Sequence, residues 1–246
     1  MGALLVFCAA WYVCLRINNY SYLDVVWSLS IAILAPLYAL FGTGDVSRRA
    51  AFALAGAFWS LRLGLYIAVR VTRHHPVEDK RYVTLRANWP TPMRFLLFFE
   101  LQAVIAVLFS SPFLLACFNP RHNLSTVELT GLAIAVAATL GEWLADWQAQ
   151  SFKRRKAGSV VDVGLWRYSR HPNYFFESLV WWGFFVAALG SQWGWVTVVC
   201  PIMMLYLLLN VTGIPLTEKH SLESRGADYR RYQQTTSRFI PWFRKS

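Results

Sequence analysis

Apolar residues gather into seven stretches, 3–15, 23–41, 50–69, 95–118, 129–147, 174–189 and 193–214, with polar residues concentrated between them. A helix needs about 20 mostly apolar residues to cross roughly 30 Å of hydrocarbon. The pattern therefore predicts an all-α fold, a polytopic membrane bundle of seven transmembrane helices, or six if the short first stretch fails to span. That stretch lacks a basic leader and is followed by Arg16 instead of a small-residue cleavage site, so it reads as a span and not as a signal peptide.

Three polar stretches separate or follow the spans. Residues 70–92 end in Trp89-Pro90-Thr91-Pro92, an interfacial tryptophan followed by helix-stopping prolines. Residues 148–172 carry Lys153-Arg154-Arg155-Lys156, Gly158 and Gly164. Residues 217–238 are helix-compatible and are expected on the membrane surface, before Phe239-Ile240-Pro241-Trp242-Phe243 dips back into the interface. With seven spans, one side holds Arg16, six basic residues between 70 and 94, six between 153 and 170, and seven between 219 and 245. The other side holds only Arg48, Arg49 and Arg121. Cytoplasmic loops retain positive charge, so the N-terminus is expected outside and the C-terminus in the cytosol, in a bacterial cytoplasmic membrane.

Composition agrees with a membrane class: 56% of residues are hydrophobic, 15% are charged, and the mean hydropathy is +0.36. A net charge of +11 on loops beside spans suits anionic headgroups and a phosphorylated cofactor better than nucleic acid. Cys8, Cys14, Cys117 and Cys200 form no C-x-x-C pair and read as small core hydrophobes. The five histidines lack metal-site spacing, and no metal is expected. With no repeat and no separable appendage, 1–246 reads as a single membrane domain.

Charges inside spans are costly and mark candidate function. They are Asp24, Arg62, Glu100, Glu142, Asp146 and Glu177. Asp24 and Asp146 lie near span ends, whereas Arg62 is deeper and requires an acidic or phosphate partner. Glu142 and Asp146, four apart, share one helical face, and about two more turns reach Gln150 and Lys153 at the cytosolic mouth. The plain alternative is a polar packing seam.

The densest cluster runs from Gly164 to Glu177, Gly-Leu-Trp-Arg-Tyr-Ser-Arg-His-Pro-Asn-Tyr-Phe-Phe-Glu, and continues into Trp181-Trp182-Gly183. Pro172 suits a helix start. The free N–H groups of a first turn, with Arg167, Arg170 and His171 beside them, are suited to a phosphate or carboxylate. Asn173 and Glu177 lie four apart, so an amide and a carboxylate could hydrogen-bond one planar group such as a carboxamide or an adenine edge. Lipid contact by a basic loop accounts for the arginines but not for the inward amide and carboxylate.

Arg170-His171-Pro172-Asn173-Tyr174 followed by Glu177, with Asp146 upstream and Glu218, Tyr229, Tyr232 and Phe239-Ile240-Pro241 downstream, resembles the steroid 5-alpha-reductase-like membrane family. Within it the chain is similar to the bacterial subgroup of unknown function, DUF1295, with Asp24-Val25-Val26-Trp27 and Asn173-x3-Glu177-x3-Trp181-x-Gly183 as specific elements. The resemblance implies NADPH held mainly by residues 141–246, with hydride transfer to the activated carbon–carbon double bond of a lipophilic, lipid-like enone. Carried over position by position, it implies cofactor contacts from Asp146, Lys153, Asn173, Glu177 and Tyr229. Arg62, Arg170, His171, Tyr174 and Tyr232 are further candidates. Steroid-reducing members hold the substrate carbonyl with a glutamate and a tyrosine. Here Asp24 takes the acid's place, and Trp59 stands where the tyrosine belongs. The proton donor stays open among Asp24, Tyr66 and Tyr82. Phe176 also replaces a glycine that often precedes the glutamate.

Two other readings remain. S-adenosylmethionine-dependent membrane methyltransferases of the isoprenylcysteine or phospholipid type share the Arg-His-Pro-x-Tyr loop, but they present adjacent glutamates where this chain has Glu218-Lys219. A non-catalytic lipid-binding protein would have no requirement for Asn173 or Glu177. Substrate identity is not legible, and no protein partner is evident.

Overall fold

A computed structural model describes residues 1–89 and 91–244. Pro90 of the expected turn and Lys245 of the C-terminal basic group lie outside the described residues. Among those described, the chain is helical with no strand, and its backbone divides into two compact units, Met1–Leu124 and Ser125–Ser246.

The first unit contains α1 (Gly2–Ile17), α2 (Tyr22–Phe41), α3 (Val46–His74), α4 (Lys80–Asn88), α5 (Pro92–Phe109) and α6 (Ser111–Cys117). α3 begins where the Asp45 carboxylate accepts from the Ser47 and Arg48 amides, an N-cap that satisfies two orphan donors. Along α3 the small or polar residues Gly56, Ser60 and Gly64 are buried while Leu54, Phe58, Leu61 and Leu65 are exposed. That arrangement inverts a soluble helix and suits a lipid-facing surface. Against α2, Ser60 Oγ donates to the Ser28 carbonyl and accepts from the Ala32 amide at 2.8 Å. The stretch 95–118, expected as one span, divides at Ser110. Pro112 has no N–H and its ring opposes a helical carbonyl one turn earlier, while Ser110 Oγ binds the Val107 carbonyl and the Tyr38 hydroxyl. Tyr20 stacks on Phe95 at 4.1 Å within a core that includes Phe7, Cys14, Leu23, Tyr82 and Phe99. Cys8, expected in the core, is exposed.

The second unit contains α7 (Thr126–Arg155), α8 (Pro172–Ala188), α9 (Val199–Tyr206) and α10 (Ile214–Thr235), with 3-10 turns at Gly164–Arg167 and Gly194–Val198 and a π-helical turn at Leu207–Val211. α7 starts in a capping box between Ser125 and Glu128. α7 and α8 run antiparallel with their backbones almost touching. A Cβ on Gly131 would meet the Ala187 backbone at 2.1 Å, and one on Gly183 the Ala135 amide at 2.6 Å. Two interlocked small-x3-small pairs, Gly131/Ala135 and Gly183/Ala187, therefore set this seam.

α10 is not one rod. Gly226 has φ 51° and ψ −119°. On a straight helix residues 218 and 233 would be about 22 Å apart, yet Gln233 Nε2 donates to Glu218 Oε2 at 3.1 Å. The chain therefore folds back at Gly226 into a helical hairpin.

Among the described residues, five helical stretches are long and apolar enough to cross a membrane: Tyr22–Phe41, Val46–His74, Pro92–Phe109, Thr126–Arg155 and the run Gly194–Thr235, whose polar distal part is the hairpin. α1, with 16 residues, is apolar but short, and α8 has 17. The stretch expected as one span over 193–214 is built from 3-10, α and π turns. The chain is thus a multi-pass membrane protein by length and composition.

Candidate functional site

In the second unit the chemistry gathers at the start of α8, where the 164–171 loop is bonded to α7 on one side and to the hairpin on the other. Gly164 opens a 3-10 turn on which Leu165 N donates to Gln148 Oε1 at 2.8 Å, and Trp166 Nε1 to the Ala145 carbonyl at 2.8 Å. These two bonds pin the loop to α7 beside Glu142 and Asp146, both of which are buried. The expected continuation of that stripe changes at its end. Gln150 and Lys153 are exposed, and Gln148 takes the inward place.

Asn173, in the first turn of α8, donates from Nδ2 to Asp146 Oδ1 at 3.3 Å. Its Oδ1 is buried without a hydrogen-bond partner. The opposite amide orientation would set two oxygens against each other, so the acidic neighbour fixes which end of the amide stays open. One turn on, buried Glu177 accepts from Trp181 Nε1 at 3.0 Å. Phe176 lies on Gly141, where even a Cβ would come within 2.6 Å of its ring.

Arg170 and His171 serve the scaffold. Arg170 Nε donates to Glu218 Oε1 at 2.7 Å, Nη1 to the Gln233 and Thr236 carbonyls at 2.8 Å each, and its backbone N to the Ser237 carbonyl at 2.8 Å. One guanidinium fork thus joins both arms of the hairpin to the start of α8. His171 Nε2 faces Glu218 Oε1 at 3.3 Å, and its ring stacks on Tyr174 at 5.5 Å. Tyr174 shares a 3.1 Å hydrogen bond with Thr217 Oγ1. The Tyr232 hydroxyl turns to the Trp166 and Ser169 carbonyls, and buried Tyr229 packs 5.8 Å from Tyr232.

Burial opposes ionisation of Glu218, but hydrogen bonds from His171 and Arg170 and the Arg170 charge outweigh it and hold the carboxyl at about 2, below its ordinary 4.5. Burial lowers the His171 imidazole despite Glu218 beside it. A carboxyl depressed in the fold stabilises above its ordinary value and loses that contribution as pH falls towards the depressed one. Melting temperature is therefore expected to drop between about pH 4.5 and 2. Glu218→Gln should flatten that slope while lowering stability at neutral pH, and an unchanged slope would remove Glu218 from the acid response.

In the first unit Asp24 accepts from the Tyr82 hydroxyl at 2.7 Å through one oxygen and from Arg81 Nη2 at 2.6 Å through the other. Arg81 also pairs with Asp79, whose amide is held by Ser21 Oγ at 2.8 Å. Burial, and next the Asp24 charge, push the Tyr82 phenol well above its ordinary range. Tyr66 and Arg62 are half-buried on α3, and Trp59 is fully buried there. The sequence had marked Asp24 and Tyr82 separately, while Gln148, Gln233 and the bridging role of Glu218 were missed. Gln148, three residues after Ala145 on the inward face of α7, carried a periodicity signal. Gln233 carried none, because the reversal at Gly226 sets its position.

Among the described residues, no group of three or more His, Cys, Asp or Glu side chains is arranged to hold a metal ion. No solved structure matches the chain. It is similar to the uncharacterized protein C594.04c of Schizosaccharomyces pombe, 24% identical over 267 residues that cover 94% of this chain and 75% of that protein. The family described as "Protein of unknown function (DUF1295)" matches residues 10–236, which is nearly the whole length, and the chain belongs to that family.

Proposed function

We propose that this protein is a membrane-embedded NADPH-dependent reductase acting on an activated carbon–carbon double bond of a lipophilic substrate. The observation that carries the reading is Asn173, an amide whose N–H end is committed to Asp146 and whose buried carbonyl end is open. A buried acceptor without a donor costs about 1–3 kcal/mol, and the carboxamide N–H2 of a nicotinamide is the kind of group that would relieve it. Glu177, one turn along the same helix, adds a second acceptor, and Arg170 and Tyr232 hold the surrounding backbone. NADPH, when bound, would supply the hydride.

Reduction also consumes a proton. Its candidate donors are Asp24, Tyr66 and Tyr82 of the first unit. Tyr82 donates its hydroxyl to one Asp24 oxygen, and Arg81 engages the other. The finer topology of the proposal is seven crossings with the C-terminus in the cytosol of a bacterial cell, supported by the one-sided distribution of basic loop residues. α1 and α8, about 24–26 Å long as helices, would cross where the bilayer thins locally.

Asn173→Ala is expected to weaken NADPH binding about 5- to 100-fold, read from energy transfer between tryptophan and the reduced nicotinamide. Tyr82→Phe should leave that affinity within about twofold and slow turnover instead. Undiminished affinity in Asn173→Ala would refute the assignment.

A further inference from the structure

The segment after the hairpin, 237–244, runs beside the chain that leads into α8. Ser237 forms a parallel bridge with Ser169. Ser169 Oγ donates to the Phe239 carbonyl at 2.7 Å, and Trp242 N to the Tyr168 carbonyl at 2.9 Å. Phe239 packs on Phe175, with ring centroids 5.8 Å apart. A backbone held this firmly nevertheless leaves Ile240, Trp242 and Phe243 61%, 69% and 76% exposed. Tyr168, Pro241, Trp242 and Phe243 line an open cavity of about 410 Å³. Ordering a strap so that its large apolar side chains face outward is unfavourable in water, so this surface faces something less polar.

Charge narrows the choice. Each arginine at the patch is the sequence neighbour of one of its aromatics: Arg167 of Tyr168, Arg238 of Phe239 and Arg244 of Phe243. Arg244 reaches Asp162 at 3.3 Å, but both side chains are well exposed, at 34% and 45%, and such a pair is weak enough to yield to a phosphate. Aromatic rings interleaved with guanidinium groups match the headgroup level of a bilayer. A buried protein–protein core would be depleted of charge.

We propose that 237–244 together with Tyr168 is a binding surface for anionic phospholipid, with Trp242 and Phe243 seated among the glycerol and upper acyl groups and Arg167, Arg238 and Arg244 on the phosphates. Because the strap is bonded to Tyr168, Ser169 and Arg170, lipid binding also stabilises the junction that carries α8. The inference does not depend on which cofactor the protein uses.

The test is competitive lipid retention. Full-length protein in detergent with equal phosphatidylglycerol and phosphatidylcholine is examined by native mass spectrometry, without nucleotide. Each arginine is expected to favour phosphatidylglycerol about fivefold. Arg167→Gln, at an exposed position, should lower the retained phosphatidylglycerol by that factor. Trp242→Ala with Phe243→Ala should lower retention of both lipids while the melting temperature in lipid-free detergent stays at the wild-type value. Equal retention of the two lipids by the wild type would overturn the proposal. So would variants that retain as much phosphatidylglycerol as the wild type, or aromatic variants that instead turn a dimer into a monomer.

Discussion

Arg170→Ala is expected to destabilise the protein by about 3–5 kcal/mol, read as a large fall in the detergent or thermal unfolding midpoint. The buried guanidinium neutralises Glu218 and caps the Gln233 and Thr236 carbonyls. Its removal leaves a carboxylate and two carbonyls at the hairpin base without their strongest donor. Arg170→Lys should fall between, because an ammonium keeps the charge but cannot fork to both arms. A loss below about 1 kcal/mol would mean that the network is a surface ornament and that the hairpin is held elsewhere.

Gly226→Ala should cost about 1–3 kcal/mol. Nothing lies within 4 Å of the added methyl group, so the penalty is conformational. At φ 51° and ψ −119° the backbone is in territory that glycine alone enters readily. Alanine also favours straightening α10, which would pull Gln233 away from Glu218, so the acid sensitivity assigned to Glu218 should change in parallel. Unaltered stability would show that the reversal survives without glycine.

The membrane class and most span positions were legible because apolar runs are long and hydrocarbon is unforgiving. The break at Ser110-Ser111-Pro112 was hidden by the uniform hydropathy of 95–118, although Pro112 marks it. The α7–α8 seam is not marked by paired glycines, because alanine fills the second position of both pairs, Gly131/Ala135 and Gly183/Ala187. The hairpin was illegible for a different reason. Residues on either side of Gly226 favour helix, and a lone glycine inside a helical pattern is ordinarily tolerated.

At the candidate site, spacing alone identified the shared face of Glu142 with Asp146 and of Asn173 with Glu177. It could not show that Asp146 takes the amide N–H of Asn173, or that Tyr82 reaches Asp24 across 58 positions. Arg170 and His171 read as anion ligands because a basic loop before a helix start suits one. In the fold both side chains face the Glu218 carboxylate of the folded-back hairpin, and Arg170 also donates to the Gln233 and Thr236 carbonyls.

The most direct test of the central claim is a thermal-shift titration of the purified protein with NADPH, NADH and S-adenosylmethionine in parallel. A ligand at about 100 times its dissociation constant stabilises by about 2.7 kcal/mol. The reductase reading predicts a clear rise in melting temperature with NADPH and none with S-adenosylmethionine. A rise with S-adenosylmethionine alone would contradict it and make the protein a methyltransferase.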